Sequence, residues 1–300
     1  MSWCYPTGTV SRQAEKVLGQ GVAQSSSSAG HVRTRLTYAS PEDPAYRRWA
    51  IRAIEVASGR RGLERMYWDL LERFDHGEEA FFPGALSRLD VSLDYDPEQL
   101  ARVPREGPLI VVANHPFGII DGLAACQLIE QARGPFKVLV HALLCQETRL
   151  AEYLLPVDFD ETRESVRINI RTKRDAIEVL RNGGTVLIFP SGGVSTSETL
   201  FGEAVELEWK TFVAKLVQQA RANVLPLWFE GQNGRLFHLV SKFSMTLRLS
   251  LLMRETRKMM GHSVGVRVGD VLPFEDLDAI GDRKELTEHL KQAVENLGRP

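Results

Sequence analysis

The chain has 300 residues, 43% of them hydrophobic and 25% charged, with a formal net charge of -2. That is enough apolar material for a full core, and the near-neutral balance excludes wholesale nucleic-acid binding. Three cysteines, Cys4, Cys126 and Cys145, are too few and too scattered for a disulfide framework or a zinc site, and they read as buried reduced thiols.

The first thirty residues contain no unbroken apolar run, because Arg12, Gln13, Glu15 and Lys16 interrupt it. No secretory signal is expected there. Nowhere do 18 apolar residues follow one another, so no spanning helix is expected either. Residues 1–37, which end near the serine run Ser25–Ser28, have little periodicity and are expected to be a disordered tail. Residues 38–104 read as an N-terminal helical region. Leu63, Met66, Tyr67, Leu70, Leu71 and Phe74 fall at steps of three and four, and Gly59 separates two helices.

From Pro108 the pattern changes. Short apolar runs rich in β-branched residues occur at Leu109–Ala113, Phe136–Leu143, Thr185–Phe189, Val224–Phe229 and Val264–Val271. Between them lie helical stripes, clearest at Trp209, Phe212, Val213, Leu216, Val217 and Ala220, with a last helix over roughly Leu286–Leu297. Residues 105–300 are therefore expected to be an α/β domain, with helices flanking a largely parallel sheet. His141 interrupts one run and reads as a core histidine.

Two Gly-bearing loops follow strands directly: Asn114-His115-Pro116-Phe117-Gly118 and Pro190-Ser191-Gly192-Gly193. Such loops, at the carboxyl ends of strands, are where open α/β sheets bind ligands. In the first, His115 and Asp121 are six residues apart across a turn. A carboxylate folded back onto Nδ1–H would fix the tautomer and leave Nε2 as a base. A helix-capping Asp121 beside an ordinary loop histidine is the plainer alternative. Paired glycines could supply oxyanion donors or simply make a turn. The neighbours of Ser191 do not form a nucleophile elbow.

These blocks resemble the glycerolipid acyltransferases, the family of the glycerol-3-phosphate and lysophosphatidate enzymes. Asn114-His115 with Asp121-Gly122 is similar to its His/Asp motif. Phe189-Pro190-Ser191-Gly192-Gly193-Val194-Ser195 is similar to its Phe-Pro-Glu-Gly-Thr-Arg-Ser block, and Leu225-Pro226-Leu227 stands where its last Val-Pro strand falls. Two departures matter: five residues rather than four separate His115 from Asp121, and Ser191 and Val194 replace the Glu and Arg associated with gripping phosphate. The variant blocks, with Gly231-Gln232-Asn233, look like a bacterial hemolysin-like or lyso-ornithine-lipid acyltransferase-like branch.

The resemblance implies acyl transfer from an acyl-carrier-protein or coenzyme A thioester to the hydroxyl of a lyso-lipid, with no metal and no further cofactor. It makes His115 and Asp121 the catalytic pair. Asn114, Phe117, Gly118, Ser191, Gly192 and Gly193 become substrate-site candidates, joined by Arg167 or Arg171 as a headgroup contact; alternatively, those arginines form the solvated face of a helix. An N-acyltransferase and a non-catalytic lipid- or carrier-binding protein are the competing readings. Residues 241–260 combine Phe243, Met245, Leu249, Leu252 and Met253 with five Lys and Arg residues. They read either as a basic helix lying on a membrane or as a core-packed helix. Tyr67 and Trp68 are a second docking candidate. The expected location is cytoplasmic, peripheral on the inner face of the membrane.

Overall fold

The computed structural model describes residues 44–57, 59–146, 148–160, 162–196, 206–234, 237 and 245–299. The tail expected over 1–37, and residues 241–244 of the basic segment, lie outside them. In the described residues, α1 (Ala45–Ala57), α2 (Arg60–Asp75) and α3 (Phe81–Arg88) precede β1 (Ser92–Asp94) and α4 (Pro97–Ala101). Then come β2 (Leu109–Ala113), α5 (Ile119–Arg133), β3 (Phe136–His141), β4 (Leu154–Val157), α6 (Arg163–Arg181) and β5 (Thr185–Ile188). The chain continues with α7 (Phe212–Ala220), β6 (Asn223–Phe229), α8 (Met245–Met259), β7 (Ser263–Val268), α9 (Phe274–Asp278) and α10 (Arg283–Leu297).

The seven strands form one mixed, mostly parallel sheet in the order β1-β7-β6-β2-β5-β3-β4. The pairs β6–β2, β2–β5, β5–β3, β3–β4 and β1–β7 are parallel, and only β6–β7 is antiparallel. This is the α/β architecture expected. Every residue of β2 and β5 is buried, which explains why both read as unbroken apolar runs rather than as alternation.

The strand period of two sorts β2 into two cores. Leu109, Val111 and Ala113 join Leu187, Leu225, Leu227 and Phe229 under α2, α3 and α5. Ile110 and Val112 join Val186, Ile188 and Val224 under α6, α7, α9 and α10. The stripe read on α7 packs here through Trp209, Val213, Leu216 and Val217.

Gly59 separates the first two helices as expected, with φ 81°. Residues 38–104 also contribute a strand: β1 pairs with β7 through Leu93 and Val264. The run Phe136–Leu143 stops being a strand at His141 and continues as a 3-10 turn, Ala142–Gln146. His141 is exposed, with its ring 5.8 Å from that of Phe159, so the core-histidine reading is corrected. Cys126 is a free thiol and buried, while Cys145 is free and half-buried.

The basic segment also differs from one of its two readings. Leu251, Leu252, Met253, Glu255 and Thr256 are buried, and Glu255 accepts from Gly234 N at 2.7 Å and from Lys258 Nζ at 2.8 Å. The second half of α8 is core-packed, with only its last turn exposing Arg257 and Lys258. No described helix is long and apolar enough to cross a membrane.

Leu216 is fully buried on α7, away from the strand-end loops. Leu216→Ala should lower unfolding free energy by about 2–5 kcal/mol in a urea titration, through lost burial plus the residual cavity.

Candidate active site

The site grows from the end of β2. Asn114 is buried and bridges two neighbouring strand ends, its Nδ2 donating to Phe229 O at 2.9 Å while its Oδ1 accepts from Phe229 N at 2.7 Å. An asparagine side chain here replaces the strand pairing that stops as β2 ends. The clamp fixes where the next residue, His115, leaves the sheet.

The turn then folds back. Asp121 is wholly buried in the first turn of α5. Its Oδ2 accepts from Phe117 N at 2.9 Å and Gly118 N at 3.2 Å, and its Oδ1 accepts from Gly122 N at 2.8 Å. Three amides and the positive end of the helix dipole thus compensate a desolvated carboxylate. The same Oδ2 stands 3.2 Å from His115 Nδ1. That nitrogen is buried, and its approach to the carboxylate is close in distance but out of line for a full hydrogen bond. Asp121 therefore caps the helix and faces the imidazole at once, and the two readings of its role merge.

The His115 ring stacks on Phe189 at 4.1 Å between centroids, 28° from parallel, and keeps 17% of its surface open. Its backbone carbonyl accepts from Ser195 N at 2.8 Å and Ser195 Oγ at 3.2 Å, which ties the two Gly-bearing loops together. Gly118 has φ 90°, and a Cβ there would lie 2.9 Å from both Leu252 Cδ2 and Val194 Cγ2. Phe117 is buried against Gly231, and its carbonyl accepts from Asn233 Nδ2 at 3.4 Å. The Gly231–Asn233 loop after β6 is thereby a third wall, contributed by residues the sequence reading left without a role.

In the second loop Ser191 is buried and donates to Gly193 O at 3.0 Å, so its hydroxyl closes a turn. The Gly192 amide donates to Phe189 O at 2.9 Å. It is occupied by that turn, so the expectation that it serves an oxyanion is corrected. Val194 packs with Phe237, Leu251 and Leu252. An apolar contact therefore occupies the place of the family's arginine.

Arg167 and Arg171 are not gathered here. They are 79% and 78% exposed on α6, 3.7 Å from Glu164 and 3.6 Å from Asp175 of the same helix. The solvated-face reading of these two arginines describes their placement.

One acidic group went unread. Glu206 lies just before α7 with both carboxylate oxygens buried and no hydrogen bond among the described residues. Burial pushes its carboxyl up to about 7, against the lowering influence of Trp209, His115 and Ser191. Trp209 Nε1 is itself buried without an acceptor, so indole and carboxylate are near neighbours that do not satisfy one another. Among the described residues there is no cluster of His, Cys, Asp and Glu fit to hold a metal.

With this geometry in place, comparison with known proteins is informative. A family model described as an acyltransferase matches residues 44–297. The chain belongs to that acyltransferase family. A lyso-glycine lipid O-acyltransferase of Phocaeicola vulgatus is 25% identical over 229 residues, 72% of this chain and 77% of the relative. One from Bacteroides thetaiotaomicron is 25% identical over 225 residues, 72% of this chain and 79% of the relative. Among solved structures, the 1-acyl-sn-glycerophosphate acyltransferase PlsC of Thermotoga maritima aligns at TM-score 0.46 and 20% identity, over 73% of this chain and 78% of that one.

The raised Glu206 carboxyl has a thermodynamic consequence. Its pKa rises on folding from 4.5 to about 7, so the folded chain holds the proton more tightly than the unfolded chain does. Stability tied to this group is full below about pH 4.5 and is lost as pH climbs through about 7. Glu206→Gln should flatten that decline and stabilise the chain at pH 8 by on the order of 2 kcal/mol. Urea unfolding of both proteins at pH 5 and pH 8 measures it.

Proposed function

We propose that the protein moves a fatty acyl group from an acyl-carrier-protein or coenzyme A thioester to the hydroxyl of a lyso-lipid, with His115 as general base. The observation that carries this reading is the 3.2 Å approach of His115 Nδ1 to a buried, amide-held Asp121. Family membership makes acyl transfer the class, and the curated relatives' names suggest an O-acylated lyso-lipid.

In this scheme His115 Nε2 takes the proton of the acceptor hydroxyl as its oxygen attacks the thioester carbonyl. A tetrahedral intermediate forms and collapses with loss of the thiolate, which takes the proton back from the imidazolium. The product is an ester and a free thiol, with no acyl-enzyme. Asp121 acts through His115: it holds the ring with Nδ1 inward and stabilises the positive charge that develops there. It can do so without moving, because backbone amides fix both of its oxygens.

Purified protein offered labelled acyl-carrier protein or acyl-coenzyme A with lyso-glycine lipid, lyso-ornithine lipid and lysophosphatidate should form diacylated product. His115→Ala should lower the rate by about 10²–10⁴-fold with an unchanged thermal transition. Wild-type rates in that variant would remove His115 from the chemistry.

Membrane attachment belongs to the same proposal, through α1 rather than the earlier candidates. Tyr67 and Trp68 pack inward against Phe81 and under Arg149. On α1, Ile51 and Glu55 face the interior, whereas Tyr46 and Trp49 are 77% and 75% exposed, with Val56 and Arg52 also open. Large exposed aromatics beside arginine suit the interface of an anionic bilayer. Co-sedimentation with phosphatidylglycerol vesicles should fall about ten-fold or more in the double variant Tyr46→Ser, Trp49→Ser, while acyl transfer to detergent-dispersed acceptor persists.

A further inference from the structure

Glu206 is a misfit in this fold. Carboxylates this deeply placed are ordinarily paired or hydrogen-bonded. Asp121 shows the ordinary solution, with three amides on its two oxygens. Glu206 has no such compensation: both oxygens are closed off from water and lack a hydrogen bond among the described residues. It is not remote from the chemistry. His115 acts on it electrostatically from the catalytic loop, Ser191 reaches it from the loop after β5, and Trp209 does so from the start of the α7 stripe.

The character of its surroundings narrows what could complete it. Ser191 donates its hydroxyl to Gly193 O, and Val194 turns its side chain into the cluster with Phe237 and Leu252. Neither position supplies a cation. The fixed charges near His115 are then carboxylates, Asp121 already neutralised by backbone donors and Glu206 not. A phosphate headgroup would be repelled there. Hydroxyl donors would leave the desolvated charge in place. A protonated amine would remove it, giving a charge-assisted hydrogen bond in a site largely closed to water. The neighbouring Trp209 Nε1–H, also unsatisfied, offers a donor to a carbonyl or carboxylate oxygen of the same headgroup.

We propose that Glu206 is the headgroup-selecting residue of the acceptor site, where its carboxylate pairs with the ammonium of an amine-bearing lyso-lipid. The inference rests on the lyso-lipid reading above and specifies the acceptor's class: a phosphate-free amino-acid lipid with a free amine. Glu206 serves binding and not proton transfer, so its loss acts on KM more than on kcat. Indole and carboxylate form one polar pair facing a zwitterionic group, which suits a headgroup carrying an amine and a carbonyl together.

Lyso-ornithine lipid and lyso-glycine lipid make a matched pair of probes, because both are amide-linked amino-acid lipids and the amine distinguishes the first. In the wild-type protein kcat/KM should favour lyso-ornithine lipid. Glu206→Gln keeps the size and removes the charge. It should lower the ratio of the two kcat/KM values by about ten-fold or more, through KM, and Glu206→Asp should recover part of the preference. Binding of each lyso-lipid without any donor, read by intrinsic tryptophan fluorescence, should show the same loss of preference. A preference that is absent from the wild type, or survives in Glu206→Gln, overturns the proposal. Preferential binding of lyso-ornithine lipid that depends on Glu206 without transfer to any acceptor would uphold it while removing the acyltransferase reading. Failures of the two readings are thereby told apart.

Discussion

A single buried carboxylate organises the centre of this molecule. Asp121 cannot be ionised inside the protein without compensation, and the compensation is backbone: the amides of Phe117, Gly118 and Gly122 converge on it. Convergence requires the chain to reverse tightly after β2, which in turn requires the left-handed φ of Gly118 and the close contact of that residue with Val194 and Leu252. The electrostatic need of one side chain thus dictates the path of the loop. The loop's path sets the imidazole of His115 against Phe189 and Asp121. Since the three amides hold Asp121 independently of His115, the carboxylate is already in position when the ring changes charge.

The sheet was legible in the sequence where its strands are buried on both faces. Leu109–Ala113 and Thr185–Ile188 lie between two helical layers, so their composition alone identifies them. β1 and β4 were not legible. Ser92-Leu93-Asp94 is a three-residue edge strand with exposed ends, and Leu154-Leu155-Pro156-Val157 carries a proline that edge strands tolerate. Neither has a periodicity long enough to register. Basic residues on α6 and α8 misled for a related reason, since a charge near an apolar stripe reports amphipathicity and not what the stripe faces. Glu164 and Asp175, placed to pair along the helix with Arg167 and Arg171, were the available sign that those arginines belong to solvent.

Within the site, the residues found from sequence are those whose chemistry depends on local spacing. His115 and Asp121 are joined by one turn, and Asn114 precedes them. Asn233 and Glu206 reach the same place from distant segments, and a glutamate between Leu207 and the other acidic residues of its stretch looks like an ordinary surface group. Burial is a tertiary property, so nothing in its own neighbourhood could disclose that its oxygens are closed off from water.

The sorting of β2 into two cores has a further bearing on how His115 acquires its address. Odd-numbered residues of the strand face the α5 side and even-numbered ones the α7 side, so parity alone decides which layer each side chain enters. A slip of one residue against β5 and β6 would exchange the contents of the two cores. It would also separate Asn114 from Phe229 and turn the imidazole away from Phe189. Catalytic competence and correct strand pairing are therefore one event in folding: a chain that has assembled its base has, by the same act, proofread its central sheet.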